Sequence, residues 1–322
     1  MQLREIILTR LKEQMDSFVS GQALADEFLV SKVAIWKHIE ALKALGYNIV
    51  AVQNRGYRLL PSPSGFHAAT AQAKLNTNFL GRTLEYFPEV ASTNEVIKQK
   101  LAAGENLPNG YTVVAARQQT GKGRKGSSWD SPLGGLWFSG LFLPMLPAVQ
   151  LSLFSVAFSV AVAEVLEELT ALQMQIHWPN AIYTAETKIC GMLLEAQGEL
   201  ERIERLILGA GIYANQALNQ QESLDHPTLE FLTGETYDLN QLCSLLLNRI
   251  ELSYQELVTK GAQKLLESYK MRLRYIGDVI TVTTPQAVIK GKFLDLDHNG
   301  FLLIEDEKSQ QRLLIPAGDI SN

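Results

Sequence analysis

The segment Gln118 to Trp129 reads QQTGKGRKGSSW. Gly121, Gly123 and Gly126 satisfy the spacing G-x-G-x-x-G, and Lys122, Arg124 and Lys125 stand between them. Glycines let a backbone approach a ligand closely and cations suit a phosphate or carboxylate, so the segment is a candidate anion-holding loop. Its surroundings narrow the chemistry. A strand pattern, YTVVAARQQ, precedes it, and SSWDSPLGGLWFSGLF follows with Pro132, Gly134 and Gly135 before a second strand pattern. A dinucleotide-binding turn needs a helix at that point, because the helix N-terminus holds the pyrophosphate. A P-loop needs lysine directly after its last glycine, and Ser127 stands there. A kinase glycine loop would lie between strands as this one does, yet no V-A-I-K, H-R-D or D-F-G equivalent follows. The bland alternative is a flexible cationic surface connection.

Other segments carry groups that could act with the loop. ASTNEVI puts Ser92, Thr93 and Asn94 just after the strand pattern EYFPEV, where Ser92 and Thr93 could also cap the helix NEVIKQKLAA. HWPNAIYTAETKICGMLLEA puts Lys188 and Gly191 beyond a Trp-Pro-Asn turn, and LILGAGIYAN reads as a buried strand with a glycine-lined exit. Cys190 and Cys243 cannot build a disulfide scaffold and sit at no metal-ligand spacing from one another or from a histidine, so no protein metal centre is expected and a reducing cytoplasm fits best.

The elements that must position these groups divide the 322 residues into several units. Apolar residues at Ile7, Leu8, Leu11 and Met15 give an amphipathic helix, and Ser20 caps a short second one. Ser31 caps a third, SKVAIWKHIEALKALG, with Ile35, Ile39 and Leu42 buried and Gly46 as its left-handed stop. YNIVAVQNRGYRLL then alternates around Asn54-Arg55-Gly56, a hairpin signal. Three helices and a hairpin in that order match a winged helix-turn-helix. Its third helix offers Lys32, Trp36, Lys37 and His38 away from the apolar stripe, and Arg55 and Arg58 lie on the wing, where DNA phosphates would be met. Net charge is −5, but residues 1 to 62 hold 8 Lys+Arg against 6 Asp+Glu, leaving −7 on the remainder, so the head alone is weakly basic.

PSPSG, Pro61 to Gly65, suits a linker. Expected units are a winged helix over 1–62, a central mixed α/β domain over 66–272 and a small β-barrel over 273–322, whose short β-branched runs are parted by Thr284-Pro285, Asn299-Gly300 and Glu307-Lys308. The fold class is α+β multidomain. Leu151 to Ala163 is apolar but interrupted by serines and too short for a membrane span, which predicts a buried helix and no membrane partner. The N-terminus carries charge among its apolar residues and lacks a secretion signal pattern.

Taken together, the winged helix, S-T-N, the G-K-G-R-x-G-x-x-W loop, W-P-N with its downstream lysine and glycine, G-x-G-I and the C-terminal barrel resemble the biotin protein ligases of the bifunctional ligase/repressor type, the BirA family. The resemblance covers nearly the whole chain, and the motifs occur in the family's order. It implies an SH3-like barrel at the C-terminus, formation of biotinyl-5′-adenylate from biotin and ATP with Mg²⁺, transfer of biotin to a lysine of a biotin carboxyl carrier domain, and repression of the biotin operon as an operator-bound homodimer. It implies Arg124 and Lys188 as catalytic cations. Ser92, Thr93, Asn94, Gln118, Lys122, Gly123, Arg124, Trp129, Lys188 and Gly191 then form the biotin site, Gly191 leaving room near the ligand ring.

The chain also departs from that pattern. His177 and Ala181 flank W-P-N in place of the usual lysine and aspartate, Tyr213 follows G-x-G-I in place of asparagine with Asn215 two residues on, and Ser127 replaces a common base. Two readings follow: a working ligase/repressor, or a biotin-sensing repressor in which adenylate forms but transfer lags for want of a carboxylate at Ala181.

Overall fold

The computed structural model describes residues 3–14, 17–44, 47, 49–53, 55–60, 65–198, 202–215 and 227–321. Helices α1 (Leu3–Glu13), α2 (Gly21–Glu27) and α3 (Lys32–Ala44) are followed by the hairpin β1 (Ile49–Val52) and β2 (Gly56–Leu59). Ser20 Oγ accepts from the Gln22 N–H and Ser31 Oγ from the Ala34 N–H, so both expected caps form. Ile7, Leu11, Ile35, Ile39 and Leu42 close a small core with Leu24 and Leu59. Leu8 packs partly buried against it; Met15, Gly46 and Asn54 lie outside the described residues. The hairpin is pinned to the helices by reciprocal Val19–Tyr57 backbone bonds of 2.7 and 2.8 Å. Gly56 is required here: its φ is +104°, and a Cβ would run into the Val19 carbonyl.

The central unit begins with α4 (Ala68–Gln72), β3 (Leu84–Val90), α5 (Thr93–Ala102), β4 (Thr112–Gln118) and β5 (Leu136–Phe142). A two-residue ribbon joins β6 (Leu146–Pro147) to β10 (Arg202–Ile203) around α6 (Leu151–Thr170), β7 (Gln175–His177), β8 (Ala181–Thr184) and β9 (Thr187–Gln197). Then come β11 (Arg205–Ile212), α7 (Leu229–Thr233), α8 (Leu239–Lys260) and α9 (Gln263–Arg272). The sheet runs β3-β4-β5-β11-β9-β8-β7, with β3 and β4 parallel and the other pairs antiparallel. Every residue of β5 is buried, because Leu141 faces the cluster under α5 with Ile97 and Val113, while Phe138 and Phe142 face α6 and α8. A strand covered on both faces reads as one apolar run, not as alternation. By length and composition alone α6 is apolar enough to cross a membrane, but 67% of that window is buried in the core.

Strands β12 (Val279–Thr283), β13 (Val288–Leu296), β14 (Leu302–Asp306), β15 (Arg312–Ile315) and β16 (Asp319–Ser321) form a small antiparallel sheet ordered β15-β14-β13-β12-β16. Its buried Ile280, Val282, Phe293 and Ile304 join the core of the central unit. The Asn299-Gly300 turn is seated on α6 and the Trp-Pro-Asn turn, with Ser152 Oγ donating to Asn299 O at 2.5 Å and Trp178 Nε1 to Gly300 O at 3.2 Å. The helical head keeps its own core, and the two sheets share one.

Candidate active site

In the sheet β11 lies between β9 and β5, and β5 pairs in turn with β4; the sequence motifs sit on or beside these strands. The glycine loop folds back on itself: Trp129 N–H bonds Gly121 O at 2.8 Å and Gly123 N–H bonds Ser127 O at 2.7 Å around a 3₁₀ turn at Arg124–Gly126. No helix follows it, in keeping with the exclusion of a dinucleotide turn. The glycines serve the loop's own closure first. A Cβ at Gly121 would strike the Trp129 carbonyl, and Gly126 turns the chain at φ +76°.

A cavity of about 760 Å³ opens beneath this loop. All ten residues proposed for biotin line it: Ser92, Thr93, Asn94, Gln118, Lys122, Gly123, Arg124, Trp129, Lys188 and Gly191. One wall is polar and organised. Gln118 Oε1 accepts from the Thr93 N–H at 2.8 Å and lies 3.1 Å from Thr93 Oγ1, and Gln118 Nε2 donates to Ser131 Oγ at 2.8 Å. Buried Ser139 stands between Thr93 Oγ1 and Asn94 Oδ1 at 2.7 and 2.5 Å, and Asn94 Nδ2 donates to Glu195 at 2.7 Å. Ser92 occupies the N-cap of α5 but makes no side-chain cap bond, and Thr93 already lies inside the helix with its hydroxyl on Gln118, so capping does not account for either side chain.

The opposite wall is aromatic. Trp129 stacks on Tyr213 with ring centroids 5.3 Å apart, and Lys188 Nζ lies 4.8 Å above the indole. A Cβ at Gly191 would fall 2.7 Å from the Trp129 ring, and one at Gly211 would fall 2.5 Å from its Nε1. Gly191 therefore makes room for Trp129, and it lines the cavity as well. The indole Nε1 is buried without a hydrogen-bond partner, a donor at the cavity wall.

Electrostatics favour an anion. Burial pushes the Lys188 ammonium below its ordinary pKa, which marks a cation held in a poorly solvated place. Arg124 is pulled the same way by burial and opposed by Asp319, whose carboxylate lies 2.7 Å from Arg124 and 2.6 Å from Lys125. Lys122 stands 3.8 Å from Glu95. Burial pushes the free Cys190 and Cys243 thiols up to about 12, so both are inert.

Similarity to known proteins matches this arrangement. A family model described as "Biotin/lipoate A/B protein ligase family" matches residues 86–212, flanked by "HTH domain" over 4–58 and "Biotin protein ligase C terminal domain" over 275–321. The bifunctional ligase/repressor BirA of Bacillus subtilis (strain 168) is 32% identical across 97% of this chain and 96% of its own length. The chain belongs to the bifunctional ligase/repressor BirA family. The relative from Escherichia coli (strain K12) is 28% identical over 90% of this chain and 89% of its own. Among solved structures, the biotin protein ligase from Aquifex aeolicus in complex with biotin and ATP aligns with a TM-score of 0.63 at 29% identity, covering 74% of this chain and 98% of that one.

Within this BirA-family site, several residues line the cavity that motif reading did not single out. Asn180, buried in the Trp-Pro-Asn turn, donates to Met192 O at 2.6 Å; its signal lay in the motif itself. Asp319 arrives on β16, and no local pattern could announce it. Asn215 is engaged with the Tyr237 backbone at 2.9 and 2.8 Å, and it is not among the residues that line the cavity. Tyr213 is buried, its hydroxyl donating to Asp130 O at 3.2 Å. Ser127 Oγ donates to Arg124 O within the loop. In the head, Lys32, Trp36 and Lys37 are exposed on α3, while Arg55 and Arg58 lie 4.5 and 5.1 Å from the Phe18 ring centroid, Arg58 being partly buried.

Proposed function

We propose that this chain joins biotin to ATP as biotinyl-5′-adenylate, releases pyrophosphate, transfers the biotinyl group to a lysine of a carrier domain, and represses transcription by binding operator DNA as a homodimer. The cavity under the glycine loop carries the reading, because it sets an organised polar wall, an aromatic wall and half-buried cations around one space. The Thr93–Gln118–Ser139 network offers hydrogen bonds suited to a ureido group, and Trp129 and Tyr213 give dry cover to an aliphatic tail. Arg124 and Lys188 face the charge that develops when a carboxylate meets a phosphate, and buried cations stabilise such charge more than exposed ones do. Lys122 and Lys125 complete the cationic side, with Gly123 between Lys122 and Arg124.

Among the described residues no group of three or more His, Cys, Asp or Glu is placed to hold a metal. Of the carboxylates near the phosphate side, Asp319 is already engaged by two cations. Bound to the nucleotide phosphates, Mg²⁺ would supply charge neutralisation during adenylation, beside Arg124 and Lys188. Inert buried thiols are consistent with a reducing cytoplasm.

Similarity over nearly the whole chain to bifunctional ligase/repressors supports the working ligase over a sensor that only forms adenylate. The test is biotin transfer to a carboxyl carrier domain, with pyrophosphate release followed in the same reaction. Label should appear on the carrier lysine only with both biotin and ATP present. Pyrophosphate release without labelled carrier would leave the sensor reading, and neither signal would remove both.

A further inference from the structure

Transfer requires that a lysine amine attack the carbonyl carbon of the mixed anhydride and then lose a proton. The N–C bond forms, the adduct nitrogen gives up its extra proton, and the electron pair returns to expel AMP through cleavage of the C–O bond. A group with a free lone pair must take that proton. Asp319 is engaged by Arg124 and Lys125, and Lys188 and Arg124 are cations. Asp130 sits on the exposed loop beyond Trp129.

His177 lies at the end of β7, directly across the hairpin from Ala181, and both line the cavity. Its imidazole is boxed by Tyr183, centroids 5.6 Å apart, and by the edge of Tyr275 at 5.4 Å, with Arg274 lying over both tyrosines. Nε2 stands 3.2 Å from the Ile320 carbonyl. A carbonyl can only accept, so Nε2 carries the hydrogen and the lone pair falls on Nδ1, which has no protein partner among the described residues. Ring orientation and tautomer are thus fixed by neighbours.

We propose that His177 is the proton acceptor of the transfer step, a role that the residue opposite it, Ala181, has no side chain to perform. The inference rests on the ligase reading above. Burial, with Arg274 and Lys188 nearby, holds the imidazole below its ordinary pKa against the opposing pull of the Ile320 carbonyl and Asp319; Tyr183 and Tyr275 complete its surroundings. The ring is therefore neutral and ready to accept at pH 7. Its pKa lies well below that of a free amine, but an amine already bonded to the carbonyl carbon is a far stronger acid, and that adduct is the species His177 deprotonates.

The experiment is single-turnover transfer from preformed biotinyl-adenylate to a carrier domain, for the wild-type chain, His177→Gln and His177→Gln/Ala181→Asp, with adenylate formation measured in parallel. Glutamine can keep the donor to Ile320 O but cannot take a proton. Transfer in His177→Gln should fall at least about tenfold more than adenylate formation does, the low side of what a positioned base contributes. Wild-type transfer should show an acid limb below pH 6.5 that the variant lacks, and the added aspartate should recover part of the rate. Transfer in His177→Gln that falls no further than adenylate formation would overturn the assignment. A wild-type chain that makes no adenylate would instead remove the ligase reading, and the inference with it.

Discussion

Gly191 and Gly211 are cross-strand neighbours on β9 and β11, and together they form the floor on which Trp129 rests. Gly191→Ala would put a methyl 2.7 Å from the indole, and the ring, not the paired strands, must yield. Overpacking of this kind costs about 1–3 kcal/mol. Here that cost should appear as biotin affinity weakened by roughly fivefold to a hundredfold, with little change in melting temperature, because the displaced side chain belongs to a loop. Titration calorimetry with biotin would measure it, and affinity within twofold of wild type would show that Trp129 does not shape the pocket. At this scale the sequence was readable where a residue belonged to a motif: Ser92, Thr93, Asn94, Gln118, Lys122, Gly123, Arg124, Trp129, Lys188 and Gly191 meet in one cavity. It was not readable where a contact depends on long-range packing. Asp319 reaches Arg124 only because the C-terminal sheet docks beside the loop, and Ser139 bridges Thr93 and Asn94 only because β5 is central.

Among the elements, α3 carries a face that the core does not use. Val33 and Trp36 are 62% and 53% exposed, with Lys32 and Lys37 exposed beside them, so the helix offers apolar surface framed by cations to whatever lies in front of it. Fitted to a major groove, the two lysines would meet phosphates, and each phosphate neutralised contributes about 0.9 to the salt slope of binding. Replacing both with alanine in the full-length chain should lower the slope of log affinity against log salt by about two. Fluorescence anisotropy on operator DNA across a KCl series, with biotin and ATP present, would show it. An unchanged slope would place the DNA elsewhere. The caps and buried stripe of this unit were legible because capping and helical periodicity are local effects. The order of the strands in the central sheet was not, since it follows from packing alone. Nor could local pattern announce that the apolar residues of the C-terminal unit pack into the central core.

In the molecule as a whole, the four tryptophans are divided between surfaces and interior. Trp137 and Trp178 are 0% and 3% exposed, held by Pro132 O and Gly300 O, whereas Trp36 stands on the outer face of α3 and Trp129 borders the cavity. The protein thus carries one optical reporter at the cavity and one on the helix face, above two buried tryptophans that an aqueous quencher does not reach. Iodide should quench only the emission of Trp36 and Trp129. Biotin with ATP should shield Trp129, and operator DNA should shield Trp36. A Trp36→Phe variant would isolate the first signal, so that occupancy of the cavity and occupancy of the helix face can be followed in one cuvette without any label. If neither ligand changed the accessible fraction, the partners would not meet the protein at these two rings.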